Sequence, residues 1–446
     1  MIQTIKNNKW WVFLATSVLL LTAGFWNGFP FLYPDDGTYF SSGFMPEMPL
    51  DRPITYGLFI FATSLGGYSL WLTVFAQSFL TTYVIYQTLK SFFKIENISV
   101  LFSVVILFLV FTSSISFLTS QLMPDCFTPL VLLTQLLLIA NTPLSKKTRK
   151  RLFVIYFLAT ATHISHLPFN LLLIAIYVCL FYFFKSKFTF LKSNTILWLL
   201  GLTFLSLGTM LPPLAKSSHA FRIGAMIQKG ILNKVLDLKC AEKNWQLCQY
   251  RDSMPKSLED FLWSTSSPLN KIGLIESKKE CNDIIWTSYT TPSLLKLHID
   301  ASIKATSQQL EYFSVCEGNA PFQKGTAVFE EFEKRFPRLT PQYLRSRQAT
   351  NQLEIVNEFN YFLKYFVPFL LILCFILFFS EKIWSNERLR FFLIFIFLGI
   401  FLNAWLCSTL VYATNRYGTK MIWLIHLSFL LILVILFNKK HEFKDN

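Results

Sequence analysis

Long apolar runs alternate with short polar stretches along most of the chain. Ten runs approach the roughly 20 residues that a helix needs to cross a hydrocarbon core of about 30 Å. They are Trp10–Trp26, Ser69–Leu89, Ile98–Leu118, Phe127–Leu144, Leu152–Ile164, Phe169–Phe184, Thr195–Leu211, Tyr361–Phe379, Phe391–Tyr412 and Met421–Phe437. The pattern predicts an all-α polytopic membrane protein of about ten transmembrane helices, the fifth run being the shortest. Ile54–Ser64 is apolar but too short to cross before Gly66-Gly67, and it reads as an interfacial helix or as the first half of an overlong, tilted second span. Between the seventh and eighth runs lies a polar stretch, Pro212–Asn360. Within it, Ala220–Leu238 and Ala327–Phe336 carry apolar residues at three- and four-residue spacing, so a mainly helical domain is expected. The chain thus divides into an N-terminal transmembrane module (1–211) with a polar loop at 27–68, a soluble domain (212–360) and a C-terminal transmembrane module (361–446).

Composition agrees with that division. Of 446 residues, 53% are hydrophobic, 48 are Phe and only 15% are charged, which excludes a soluble globular or disordered chain. A net charge of +15 would suggest nucleic acid in a soluble protein, but here Lys and Arg sit between apolar runs. One set of connectors carries Lys6, Lys9, Lys90, Lys94, the Lys146–Arg151 cluster, Lys185, Lys187, Lys192, Lys382, Arg388, Arg390, Lys439, Lys440 and Lys444. The opposite short connectors hold only Arg52, Arg416 and Lys420. By the positive-inside rule both termini are expected in the cytoplasm, with loop 27–68 and the domain at 212–360 outside, in a bacterial inner membrane. The first run also resembles a secretory signal, but it is long and aromatic-rich and is read as a retained anchor.

Four of the eight cysteines, Cys240, Cys248, Cys281 and Cys316, fall in the polar domain without zinc-site spacing. In an oxidising compartment they predict two disulfides with three possible connectivities, set against unpaired structural thiols. No nucleotide-binding glycine fingerprint and no fixed-period repeat occurs in the chain.

Polar chemistry gathers in the expected outer connectors. Asp35 and Asp36 lie in Pro34-Asp35-Asp36-Gly37 after an aromatic run. Adjacent carboxylates near low dielectric raise one another's pKa and suit a base or cation ligand, although the same four residues make a good turn. Tyr39, Asp51 and Arg52 follow in the same loop. Asp125, in Met123-Pro124-Asp125, is either a helix cap or a site residue. His163 and His166 stand one helical turn apart where the fifth run ends, suited to a site or to hydrogen bonds between helices. Lys216 and Arg222, with His219, and Arg416 beside Tyr417 suit phosphate, while anionic headgroups would also attract Lys216 and Arg222.

An acidic pair after the first span, an interfacial segment, Asp125 in the next outer loop and Arg416 before the last span form an ordered pattern. It resembles the GT-C superfamily of membrane glycosyltransferases, over Trp10 to about Leu211 and again around Arg416. The resemblance implies transfer of a sugar from a polyprenyl-phosphate donor to an extracytoplasmic glycan, lipid or protein, with Asp35 or Asp36 as base. It further implies that Arg416, with one or more of His163, His166, Lys216 and Arg222, binds the donor phosphate. Asp125, Asp51, Arg52, Tyr39 and Tyr417 would stand near substrate or metal, and a divalent cation such as Mg or Mn is left open. The placement of the polar domain differs from members with a C-terminal soluble domain. Membrane lipids, but not nucleic acid, are the other expected partners. A transporter or flippase of a lipid-linked or envelope substrate is the main rival, and a non-catalytic assembly protein a further one.

Overall fold

The computed structural model describes residues 9–93, 95, 97–140 and 142–437. Lys6, Lys94, Lys439, Lys440 and Lys444, counted above for orientation, lie outside the described residues, as does the Lys9 side chain. Every regular element among the described residues is helical. In chain order these are α1 (Lys9–Leu19), α2 (Thr22–Asn27), α3 (Asp36–Phe44), α4 (Thr55–Thr63), α5 (Leu70–Phe92), α6 (Ile98–Thr112), α7 (Ile115–Ser120), α8 (Phe127–Ile139), α9 (Lys146–Ala161), α10 (His166–Phe183) and α11 (Ser193–Gln228). Then come α12 (Ile231–Lys239), α13 (Leu258–Trp263), α14 (Pro268–Ile272), α15 (Lys278–Thr290), α16 (Pro292–Glu311), α17 (Ala327–Arg335), α18 (Thr340–Leu344), α19 (Val356–Phe378), α20 (Glu381–Trp384), α21 (Glu387–Leu410) and α22 (Asn415–Phe437).

Five of these, α10, α11, α19, α21 and α22, are long and apolar enough to cross a membrane, while α1, α6 and α8 are shorter apolar helices. The runs read as single spans at Trp10–Trp26 and Ile98–Leu118 are each broken in two. The second break has a local cause. At Ser113 the hydroxyl donates to the Leu109 carbonyl, and the Ser114 hydroxyl donates to the Thr419 carbonyl at 2.6 Å, so serine side chains take over backbone bonding where α6 stops. Elsewhere a helix runs on where a boundary was expected. Helix α11 continues through Pro212 and Pro213, joining the seventh run to the polar region without a loop.

At the centre of the bundle is α8, largely apolar and buried at every residue. It packs against α5, α9, α10, α11, α21 and α22. The region 212–360 contributes to more than one core. Residues from Ala220 on α11 to Leu294 on α16 form a second apolar core. By contrast Phe329, Phe332 and Phe336, on and just after α17, join the main one, where Phe332 and Phe336 contact Phe40 of α3 edge-on or tilted.

The expected pair of disulfides is corrected to a single bridge. Cys240 is joined to Cys248, while Cys281 and Cys316 are free. Cys281 is fully buried in the second core beside Ile284 and Ile285, and Cys316 sits in a separate apolar cluster with Val315 and Leu363. The interfacial segment at Ile54–Ser64 forms α4, which packs closely on α3. That contact requires glycine on both sides, since a Cβ on Gly43 or on Gly57 would collide with the backbone of the other helix.

Candidate functional site

Four connectors meet at one place. Residues 28–35 are held first by backbone pairing with the segment before Asp125. Phe31 donates to the Ser120 carbonyl and accepts from the Leu122 amide, each at 3.0 Å, in a lone parallel bridge. A buried amide then fixes the next residue, since the Gln348 side chain accepts from the Leu32 amide at 3.0 Å and donates to its carbonyl at 2.8 Å. Asn319 donates to that same carbonyl at 2.8 Å, and Asn27 accepts from the Gln348 amide. These amides satisfy backbone that the loop buries, and so fix where α3 begins.

Asp35 stands immediately before α3 and forms two ion pairs, with Arg52 at 3.1 Å and with Arg416 at 2.9 Å. Arg416 bridges onward, its Nε donating to Asp125 at 2.7 Å, and Lys420 reaches the other Asp125 oxygen at 3.2 Å. Arg52 is held from behind by Asp51, to which it donates from Nε at 3.0 Å and Nη2 at 2.6 Å. The result is a chain of alternating charge, Asp51–Arg52–Asp35–Arg416–Asp125–Lys420, in which three carboxylates meet three cations.

Exposure grades along this chain. Lys420 is fully buried and the Asp125 side chain 4% exposed, whereas Asp35 is 23% exposed and so faces solvent most. Tyrosine rings line the cations, with Arg416 4.9 Å from the Tyr33 ring centroid, Arg52 5.2 Å from Tyr39 and Lys420 5.2 Å from Tyr417. The segment bearing Arg416 is pinned as well. Glu317 accepts from the Thr414 hydroxyl at 2.7 Å and the Arg416 amide at 3.2 Å, and Asn415 accepts from the Ser314 amide at 2.8 Å. Gly418 passes so close to the Tyr312 carbonyl that no side chain would fit there.

The two adjacent aspartates have opposite environments. Burial pushes the Asp35 carboxyl up, but Arg52 and Arg416 outweigh it and hold it below the usual range. For Asp36 burial wins. Its Oδ2 accepts the Tyr33 amide at 2.8 Å, its Oδ1 is buried without a hydrogen-bond partner among the described residues, and its pKa lies well above the ordinary 3.8. Asp125 follows the Asp35 pattern, with burial overcome by Arg416 and Lys420.

The histidines separate in the same way. His166 is buried and bonded at both ring nitrogens, to Thr128 at 2.8 Å and to the Ala159 carbonyl at 2.7 Å, which ties three segments of the bundle together. His163 is half-buried and accepts only from Ser165 among the described residues. Lys216 and Arg222 are exposed on α11 and make no ion pair or hydrogen bond with this cluster among the described residues. The site therefore brings together Asp35, Asp125, Arg52, Asp51, Arg416, Tyr39 and Tyr417, and leaves Lys216 and Arg222 apart.

Glu317, Gln348, Asn319 and Tyr33 carry no motif in the sequence, and Lys420 is legible there only as a topological charge. No group of three or more His, Cys, Asp or Glu among the described residues is placed to hold a metal ion. Asp35 and Asp125 each meet two cationic side chains, an arrangement that does not fit a divalent cation. No protein-family model matches the chain, and comparison with curated proteins and with solved structures finds no significant match.

Proposed function

We propose that the chain is a polytopic GT-C-type membrane glycosyltransferase that moves a sugar from a polyprenyl-phosphate donor to an extracytoplasmic acceptor, with Asp35 as the base. In this reading the chain crosses the membrane about ten times, with both termini in the cytoplasm and the connectors around Asp35 outside. The observation that carries it is the bridge made by Arg416, which joins Asp35 of the first loop to Asp125 from a distant part of the chain. Arginine and carboxylate are then adjacent, one suited to phosphate and the other to a proton.

The chemistry follows from that adjacency. Asp35 is held ionised by Arg52 and Arg416, and takes the proton of the acceptor hydroxyl. The hydroxyl oxygen forms a bond to the anomeric carbon as the bond from that carbon to the phosphate oxygen breaks. The electron pair departs with polyprenyl phosphate, and the anomeric centre inverts. Arg416 offsets the charge gathering on the phosphate, since its Nε and Nη1 are engaged by the aspartates and its Nη2 forms no hydrogen bond among the described residues. Asp36 serves the fold, because its carboxyl is closed off from any acceptor.

The test is transfer of radiolabelled sugar from polyprenyl-phosphate donors in membranes holding wild type, Asp35→Asn or Asp36→Asn at matched abundance. Asp35→Asn should abolish transfer and Asp36→Asn should retain it. Full transfer by Asp35→Asn removes the assigned base. No transfer by wild type, with lipid translocation that depends on the protein, puts a flippase in place of the enzyme.

A further inference from the structure

Beside the charged cluster, and sharing Asp51 with it, a groove of about 650 Å³ lies between α3, the loop at 45–51, α11 and the pair α13 and α14. Its size is in the range of small-molecule sites. The groove begins at Thr38, one turn into α3 from Asp35, and its far wall carries Phe221, Trp263 and Asn270. Two charged side chains line it, Glu47 and Asp51, and both are carboxylates. None of the lining residues is Lys, Arg or His.

That is an unusual balance for a chain of net charge +15. A cavity for a phosphate or a uronic acid needs cations or converging N–H groups, and apposed like charges cost several kcal/mol. This groove has no cation in its lining, and of its two carboxylates Asp51 is matched by Arg52 behind it, which leaves Glu47 to set the sign of the charge. Its other polar groups are the Thr38 hydroxyl, the Asn270 amide and the hydroxyls of Ser41, Ser42 and Ser217, which donate to backbone carbonyls and keep their oxygens as acceptors for the hydroxyls of a sugar. Trp263 is 59% exposed and offers an indole face whose one ring contact among the described residues is edge-on to Phe221. An exposed indole beside hydroxyls and carboxylates suits the apolar face and hydroxyl rim of a sugar ring.

We infer that this groove binds an uncharged or positively charged saccharide and rejects an anionic one. The inference rests on the proposed transferase, for which the groove would be the acceptor's place, separate from the cationic phosphate site at Arg416. Connection between the two runs through Asp51, which lines the groove and holds Arg52, which in turn holds Asp35. Acceptor and donor are thus sorted by charge before any chemistry begins.

The test reads binding directly and needs no transfer. Full-length protein in nanodiscs would be titrated with three tetrasaccharides, the neutral N-acetylglucosamine tetramer, its deacetylated cationic form at pH 6, and the galacturonate tetramer. The neutral and cationic tetramers should bind and the anionic one should not. Trp263→Ala should weaken both by about tenfold. Glu47→Lys, on an exposed residue where misfolding is not expected, should weaken the cationic tetramer selectively and admit the anionic one. Equal binding of the galacturonate tetramer by wild type, no binding of any tetramer, or affinities indifferent to Glu47→Lys would overturn the inference. If saccharides bind as stated and no donor supports transfer, the groove stands and the catalytic reading falls.

Discussion

Two of the buried polar clusters are built on different principles. The one at Asp35, Arg416, Asp125 and Lys420 is ionic, lies where connectors meet and opens to solvent at Asp35. The other lies within the bundle and is neutral. There Gln135 donates to Asn170 at 2.5 Å, Asn170 donates to Thr160 at 2.9 Å, Tyr156 pairs with Thr203 at 2.5 Å, and His166 bonds Thr128. Neutral groups joining α8, α9, α10 and α11 hold helices together at small cost in desolvation. Charges in such a place are costly unless matched, and in the ionic cluster they are matched in a chain whose most exposed member is Asp35. The difference teaches that the interior polarity is cohesive, whereas the ionic cluster is arranged around an accessible carboxylate.

The comparison breaks most visibly if Asp125 is removed. Asp125→Ala strands fully buried Lys420, and the protein should lose about 3–5 kcal/mol in detergent-titrated unfolding followed by helical circular dichroism. Adding Lys420→Met should recover part of that loss. An undiminished midpoint for Asp125→Ala would mean that water reaches Lys420 and that the cluster is not buried.

In the neutral cluster Asn170→Leu should cost only about 1 kcal/mol in the same assay, the scale of interhelical hydrogen bonds in membranes. A loss as large as that of Asp125→Ala would erase the distinction between the clusters.

Asp36 sharpens it through pH. Its raised pKa means that the folded protein keeps a proton which the unfolded chain releases, so its contribution to stability is complete below the ordinary 3.8 and is lost as pH rises towards the folded value. Relative to wild type, Asp36→Asn should therefore gain stability as pH climbs from about 4 to 7. Asp35 and Asp125 act with the opposite sign, since their depressed pKa values supply stability above the usual carboxylate range that is lost as pH falls. A stability difference for Asp36→Asn that is flat across this window would show that Asp36 is ionised in the folded state.

The smallest effects are expected from Lys216→Ala and Arg222→Ala, each within about 0.5 kcal/mol, because both side chains are exposed and outside either cluster. A larger change in unfolding midpoint would place them in an interaction that the fold does not provide.

Much of the helical layout is legible in hydropathy because burial selects for it. Where apolar residues recur, as in α4 and α17, the expected helices form within a residue or two. The failures occur where a local rule meets a stronger one. Pro34-Asp35-Asp36-Gly37 has the chemistry of a turn, and a turn does form at Pro34 and Asp35, but Asp36 then opens α3, whose Phe40 packs on Phe332 and Phe336 some 300 residues away in sequence. Pro212-Pro213 reads as a boundary, yet α11 continues through it. The charged cluster is legible as separate charges. Its pairing is not, since the ion pair of Asp35 with Arg416 depends on Gln348 and the Phe31–Gln121 bridge, which leave no local pattern.

The length of α11 has a mechanical consequence. Its 36 residues make a rod of about 54 Å at ~1.5 Å per residue, well beyond a hydrocarbon core of ~30 Å. Ser217, Ala220 and Phe221, near its far end, form one wall of the saccharide groove. Groove wall and apolar stem are one lever, jointed only at Pro212-Pro213, so a change in the tilt of the stem is a displacement of the wall.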